Sequence, residues 1–221
     1  MASQTMAAGS QKLLLVEGAD DRRLFGALAN HLAIHGITIE SYNGKSNLGN
    51  DLANRTRSPH FSLYSSLGIV RDADDNAQSA FNSVISALLR AKLPKPTSPV
   101  SPATEHGLRV AVLIIPPDED SGELENLCLR SIENAEERAC VDACINCVET
   151  AGEPISANRL AKAKVHTYLA AGPEPGFFAG TPNESTDRRN PGLRVGEAAE
   201  ARVWDWTSPA FAAVADFLRS L

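Results

Sequence analysis

The chain has 221 residues, 43% of them hydrophobic and 22% charged, with a formal net charge of −6. This is ordinary globular composition for one large domain or one domain with an extension, and the charge argues against a strongly basic nucleic-acid wrapper, although not against a nuclease. No apolar run approaches membrane-spanning length and the N-terminus has no signal-peptide pattern, so we expect a cytoplasmic protein without a membrane partner.

Short apolar runs alternate with helical patterns through the first half of the chain. Residues 12–16 (KLLLV) are too short for a helix and fit a strand buried on both faces. A helical i, i+4 stripe follows and ends before Gly36. The same plan predicts further strands at 37–42 and 66–71, each with a helix after it, the first at about 48–56. This alternation predicts a parallel sheet with right-handed crossovers.

The second half begins with the proline-rich stretch 92–107, which predicts an exposed loop. Residues 108–115 (LRVAVLII) form the strongest strand pattern, and a helical stretch follows from about 123 to 149. Beyond it we predict a helix over residues 155–171 and an irregular segment over 172–198. A C-terminal helix capped by Ser208 is predicted over 209–221.

These patterns divide the chain into three parts. We expect a flexible N-terminus over residues 1–11, an α/β core over 12–150, and an extension over 151–221 that packs on the core.

An acidic cluster follows each of three predicted strands, beginning with Glu17 to Asp21. Because parallel strands bring their carboxyl ends to one edge of an open sheet, the clusters can converge on a single metal ion. Asp20 and Asp21 can be explained as partners of the helix dipole, but Glu17 is a charge directly after four apolar residues. We therefore assign Glu17 to a metal site, and we expect Asp21 both to cap the helix and to bind the metal.

The other two clusters supply further candidate ligands. Asp72-Ala73-Asp74 is a D-x-D arrangement, in which alternate side chains of an extended segment point the same way and can hold magnesium. The stretch from Asp118 to Glu125 contains five acids, too many for all to be ligands. Glu123 fits a helix start, so Glu125 is the preferred ligand and Glu123 the reserve.

All four cysteines lie within twenty residues, and three of them have i, i+4, i+7 spacing: Cys140, Cys144 and Cys147, with Cys128 upstream. A tetrahedral zinc site or a disulfide would explain the spacing. Small thiols on the buried stripe of a helix are commoner, so we predict core packing.

Two other patterns have structural explanations. The turn at 43–47 (NGKSN) lacks the first glycine and the spacing of a phosphate-binding loop, so we predict an exposed turn. Trp204 and Trp206 are predicted to anchor the C-terminal segment on the core.

The motifs LLLVEGADD, GIVRDADD and IIPPDEDSGELENL together resemble the Toprim fold, which is shared by primases, topoisomerases and the OLD (overcoming lysogenization defect) nucleases. In particular they resemble the DUF3226 group of stand-alone Toprim-like proteins. The likeness covers residues 12 to about 130 and extends weakly to AKAKVHTYLA and VWDWTSPAFAAVADFL. It implies a Toprim-like (Rossmann-like) α/β fold with four or more mainly parallel strands, flanking helices and a C-terminal helical extension.

The resemblance also implies a site. The family's glutamate and following acid resemble Glu17 and Asp21, and its D-x-D resembles Asp72 and Asp74. OLD-type members add a glutamate similar to Glu125 or Glu123, and a lysine that Lys164 or Lys162 would match.

By this resemblance the activity would be Mg²⁺- or Mn²⁺-dependent cleavage of a phosphodiester in DNA or RNA, with Glu17, Asp72 and Lys164 catalytic. OLD nucleases usually carry an ATPase domain on the same chain, so any ATPase here would be a separate partner. The alternative is a non-catalytic metal- or nucleotide-binding regulatory module.

Overall fold

The fold is built on one five-stranded sheet in the order β2-β1-β3-β5-β4. A computed structural model describes residues 11–171 and 192–221. All neighbouring strands run parallel except the short edge strand β4, which is antiparallel to β5. The strands are β1 (Gln11–Val16), β2 (Ile37–Ser41), β3 (Tyr64–Asp72), β4 (Ala103–Glu105) and β5 (Leu108–Ile115).

The helices of the described residues flank this sheet and continue into the C-terminal part. They are α1 (Ala19–His31), α2 (Leu48–Arg55), α3 (Ala77–Arg90), α4 (Leu124–Ser131), α5 (Glu136–Ala151), α6 (Ala157–Ala170), α7 (Val195–Glu200) and α8 (Ala212–Ser220). Short 3₁₀ helices cover Pro59–Leu63 and Pro209–Phe211. The predicted fold class, a mainly parallel α/β sheet with flanking helices and a C-terminal helix, is confirmed.

Three local predictions need correction. The helix predicted over 123–149 is divided into α4 and α5, because Ile132 turns into the core at 2% exposure and ends the first helix. The proline-rich segment contributes β4, which pairs only at the edge of the sheet. Within the segment predicted to be irregular, α7 forms around buried Val195, Ala198 and Ala199, while residues 172–191 lie outside the described part.

The sheet is buried on both faces, which explains the continuous apolar run of β1. Leu14 and Val16 pack with α1 and the C-terminal helices, whereas Leu13 and Leu15 pack with α2 and α3. All four leucine and valine side chains have no exposed surface. Burying each of them stabilises the fold by about 1.5–3 kcal/mol.

The cysteine prediction is wrong for three of the four residues. Cys128 is buried in the core, but Cys140, Cys144 and Cys147 are exposed on α5. The buried residues of α5 are Val141 and Ile145, each directly after a cysteine. One residue turns a helix by about 100°, so the spacing identified a helical face correctly but not the face that packs.

The C-terminal part is anchored on α1 and the sheet. Trp204 is fully buried and its indole Nε1 donates a hydrogen bond to the Val195 carbonyl at 3.1 Å. Leu221 packs near Gly68 of β3. Ser208 accepts a hydrogen bond from the Ala210 amide, as predicted for the cap of the last helical segment. The three-part division of the chain stays a prediction, and most of its first part, residues 1–10, lies outside the described residues. In the part of the chain that the structure describes, no helix is long and apolar enough to cross a membrane.

The contact between α7 and α1 is closest at Gly196. A Cβ atom at this position would lie 2.7 Å from the Asp20 carbonyl oxygen and 2.8 Å from the Asp20 Cα. Backbone atoms cannot move aside cheaply, so Gly196→Ala should destabilise the protein by about 1–3 kcal/mol in urea unfolding. Gly26→Ala is the matched control, because a Cβ at Gly26 in α1 meets nothing within 4 Å. Gly26→Ala should stabilise the protein by about 0.5–1 kcal/mol. Equal effects of Gly196→Ala and Gly26→Ala on the free energy of unfolding would contradict the close contact.

Candidate metal centre

Acidic residues meet at the carboxyl edge of three adjacent strands. Glu17 follows β1 directly, Asp72 is the last residue of β3, and the loop after β5 leads to Glu123 and Glu125 at the start of α4. In the sheet β3 lies between β1 and β5, and Asp72 is in register with Ile115 at the end of β5. The parallel arrangement therefore brings together three segments that are far apart in sequence.

The D-x-D segment is held against the loop after β5 by backbone hydrogen bonds. The Asp74 amide donates to the Gly122 carbonyl at 2.9 Å, and the Gly122 amide donates back to the Asp74 carbonyl at 2.8 Å. Both residues have positive φ, 52° for Asp74 and 131° for Gly122. A Cβ at Gly122 would lie 2.8 Å from Cδ of Pro116, so glycine is required here by conformation and by space.

Asp21 has the capping role that its position suggested, and its carboxylate also lies in the acidic cluster. Its Oδ2 accepts a hydrogen bond from the Gly18 amide at 3.0 Å, which closes the N-terminus of α1. The side chain is only 8% exposed. The pKa of Asp21 is raised to about 6. Burial is the largest cause, and the nearby charges of Glu17 and Glu125 add to it, while hydrogen bonds to the carboxylate act in the opposite direction.

Glu17 and Asp72 each place a buried carboxylate oxygen where no described protein group donates to it. These atoms are Glu17 Oε2 and Asp72 Oδ1. Burial is the main reason why the pKa of both carboxyls is raised. Repulsion by Asp74 raises the pKa of Glu17 further. The pKa of Asp72 is also raised by the charges of its neighbours Asp21, Glu17, Glu125 and Glu123. Carboxyl groups in this position are stable either when they are protonated or when they are ionised and bound to a cation.

The two glutamates after β5 differ in their surroundings. Glu123 precedes α4, where its amide donates to the Asn126 side chain at 2.9 Å, and its carboxylate pairs with Lys162 at 2.5 Å. Glu125 lies in the first turn, and burial is the main reason why its pKa is raised. Glu123 is thus the glutamate that is paired with Lys162.

The candidate lysines lie two residues apart on α6 and contact different groups. Besides its pair with Glu123, Lys162 is close enough to Glu125 and Asp72 for their charges to raise its pKa. Lys164 pairs with Asp142 of α5 at 2.7 Å and lines a cavity of about 340 Å³ beside α4 and α6. The geometry therefore joins Lys162, and not Lys164, to the acidic cluster.

Two basic residues of the site were not identified from the sequence. Lys45, in the turn after β2, has its Nζ 2.9 Å from Asp74 Oδ2, and its backbone amide donates to the Glu17 carboxylate. Arg71 in β3 lies 3.8 Å from Asp74 and donates to Ser83 at 2.8 Å. The position of Lys45 just beyond a parallel strand could have indicated it. The neighbouring order of the strands was needed to place it against Asp74.

All six predicted carboxylates belong to one electrostatically linked cluster: Glu17, Asp21, Asp72, Asp74, Glu123 and Glu125. Across residues 11–171 and 192–221, no three His, Cys, Asp or Glu side chains are already arranged as a metal-binding group. Two of the six carboxylates, Asp74 and Glu123, are paired with lysines. The cluster is therefore an acidic pocket partly neutralised by ammonium groups.

Comparison with known families gives one match over almost the whole described chain. The sequence model of the family described as "Protein of unknown function (DUF3226)" matches residues 11–221. The chain belongs to the DUF3226 family. No curated protein matches it.

Among solved structures, this DUF3226 protein is similar to C-terminal regions of OLD proteins. That of Xanthomonas campestris pv. campestris, phased with mercury, has 16% identity and a TM-score of 0.46, and 96% of each chain is covered. That of Burkholderia pseudomallei has 15% identity and a TM-score of 0.44, covering 96% of this chain and 98% of the other.

The raised pKa values predict that the metal-free protein loses stability as pH increases. A carboxyl whose pKa is higher in the folded than in the unfolded chain contributes its full stability below the unfolded pKa, and that contribution is lost as pH rises through the folded pKa. For Asp21 this window runs from about 4, the ordinary pKa, to about 6. Asp72→Asn removes one repelled charge, so it should stabilise the chelator-treated protein at pH 8 by about 1–3 kcal/mol.

The advantage of Asp72→Asn should shrink at pH 5, because a raised pKa favours the uncharged form of the Asp72 carboxyl as pH falls. Urea unfolding at both pH values in EDTA measures the difference. Asp75→Asn is the control, since Asp75 is an exposed carboxylate of the same loop and its change should be neutral at both pH values. A pH-independent effect of Asp72→Asn would contradict the proposed repulsion.

Proposed function

We propose that this DUF3226 protein is a Mg²⁺- or Mn²⁺-dependent phosphodiesterase that cleaves nucleic acid, DNA or RNA. The supporting observation is the pair of buried carboxylate oxygens, Glu17 Oε2 and Asp72 Oδ1, that receive no hydrogen bond from the described residues. Native proteins rarely bury acceptors in this way without a ligand, because each costs about 1–3 kcal/mol. We infer that a bound divalent cation would satisfy both.

The donor set fits these cations. Carboxylate oxygens are the ligands that Mg²⁺ and Mn²⁺ prefer, and all six residues of the cluster are aspartates or glutamates. Glu17, Asp21 and Asp72 would hold the cation, with Asp74, Glu123 and Glu125 as additional ligands. When bound, it would polarise a phosphoryl oxygen and lower the pKa of a water nucleophile.

The chain's own groups supply the remaining chemistry. An ammonium at Lys162, beside Glu123, can neutralise the negative charge that develops on the phosphate. Lys45 and Arg71, which both lie beside Asp74, can bind the phosphate. Glu17, with its raised pKa, can act as a ligand or transfer a proton to or from the reacting groups. In this scheme Lys162 replaces Lys164 as the catalytic lysine.

A non-catalytic regulatory module is the second candidate. It is favoured by the ion pair of Asp74 with Lys45, because a lysine can serve as a permanent counter-ion where no turnover is needed. In that case the protein would bind metal or nucleotide and act through a separate partner such as an ATPase. Calorimetric binding of Mn²⁺ without cleavage of DNA, RNA or nucleotides would favour this function over the first.

Loss of a central carboxylate should abolish cleavage without unfolding the protein. Glu17→Gln and Asp72→Asn should each lower Mn²⁺-dependent plasmid nicking by about 100-fold or more, since each alters a carboxylate with a buried oxygen that no described group hydrogen-bonds. Asp75→Asn should retain wild-type activity, because its side chain is exposed. Thermal unfolding verifies that every variant is folded. Nicking by both Glu17→Gln and Asp72→Asn at the wild-type rate would contradict the proposal.

The two lysines of α6 can be separated by matched substitutions. Lys162→Met should lower kcat by about 100-fold with little change in KM, because the ammonium acts mainly on the developing charge. Lys162→Arg should restore part of the rate. Lys164→Met should keep kcat and affect only stability, through loss of its pair with Asp142. The opposite pattern would return the catalytic role to Lys164.

A further inference from the structure

A wide groove follows α1, and Arg22, the residue after Asp21, lines it. Its volume is about 1020 Å³, and its walls come from α1, from the segment leading into β2, and from the residues around the end of α7. All of these residues lie within the described part of the chain. Because β2 is the outer strand of the sheet, this side of the groove is open to solvent.

The groove is basic although the chain as a whole has a net charge of −6. Three arginines line it, Arg22, Arg23 and Arg202, against one acid, Glu200. Arg23 is paired with Glu197 at 2.6 Å. Arg22 and Arg202 are exposed and form no ion pair with any described residue. Two arginine charges are therefore available to an anionic ligand.

The lining of the groove also includes apolar and aromatic side chains. Ile34, Ile37 and Ile39 contribute partly buried side chains. The exposed His31 ring lies 6.4 Å from Trp206, which in turn packs on Phe211 at 4.8 Å between ring centroids. A groove that combines cations with apolar and ring surfaces matches the backbone and bases of an unpaired strand, whereas duplex backbone contacts need only the cations.

The groove also has a defined position relative to the acidic cluster. Arg22 directly follows Asp21, and His31 is the last residue of the same helix. At 1.5 Å per residue, the nine helical steps from Arg22 to His31 span roughly 14 Å, enough for about two nucleotides of an extended strand.

We propose that this groove binds a single-stranded segment of nucleic acid and leads it to the acidic cluster. The proposal rests on the proposed phosphodiesterase function for the direction of the strand. Arg22 and Arg202 would contact phosphates, and the exposed His31 ring, with buried Trp206 beside it, would contact a base. Binding in the groove needs no metal, since none of these side chains belongs to the carboxylate cluster.

Binding is tested by fluorescence anisotropy with a labelled oligothymidine of about 12 nucleotides, in EDTA so that cleavage is prevented. The double variant Arg22→Glu/Arg202→Glu should bind at least 10-fold more weakly than wild type. The slope of log Kd against log salt should fall by about 1 to 1.5, as expected for two lost phosphate contacts. The matched control is Arg57→Glu/Arg90→Glu, which makes the same charge change at exposed arginines beside α2 and α3, on the other face of the sheet.

Equal weakening in the control, or unchanged affinity in the groove variant, would overturn the proposal. So would a dimer in light scattering that the groove variant loses while keeping oligothymidine affinity, because the groove would then join two copies of the chain. The two proposals fail separately. Groove-dependent binding without metal-dependent cleavage refutes only the nuclease, and cleavage with unchanged binding by the groove variant refutes only the groove.

Discussion

Repulsion between carboxylates packed at one edge of the sheet is the constraint around which this protein is organised. Four of them, Glu17, Asp21, Asp72 and Glu125, have raised pKa values chiefly because they are buried. Such a cluster is unfavourable unless rigid backbone holds it together and positive charge compensates it. The backbone part is supplied by the reciprocal hydrogen bonds between Asp74 and Gly122, which fix the loop after β3 to the loop after β5.

Compensating charge comes from segments on either side of the cluster. Lys45 reaches it from the turn after β2, and Lys162 from α6, which lies outside the strand–helix alternation. Each lysine neutralises a carboxylate at the periphery, Asp74 or Glu123, and leaves the buried oxygens of Glu17 and Asp72 without a donor among the described residues. The pairing of carboxylate oxygens with positive or hydrogen-bonding groups thus decreases from the rim of the site to its centre. That gradient is expected where a cation binds at the centre and phosphate meets ammonium groups at the rim.

The charge of the molecule is also unevenly distributed along α1. Its N-terminus carries Asp21 in the acidic cluster, and the same helix presents Arg22 to the groove. Adjacent residues on a helix point about 100° apart, so one helix can border an acidic site and a basic surface. A net charge of −6 conceals this separation, and for that reason composition alone could not decide between a nucleic-acid enzyme and a binding module.

The sequence by itself determined the strands, most of the helices and the six carboxylates, because burial on both faces produces continuous apolar runs and acids stand out at their ends. It did not decide which neighbours those residues meet. The order β2-β1-β3-β5 brings Lys45 to Asp74 across 29 residues, and the packing of α6 on α4 selects Lys162 over Lys164. The same limit explains the cysteines of α5, whose spacing defined a helical face while Val141 and Ile145 took the buried one. Periodicity along the chain is a local property, whereas the choice of facing partner depends on how distant segments pack.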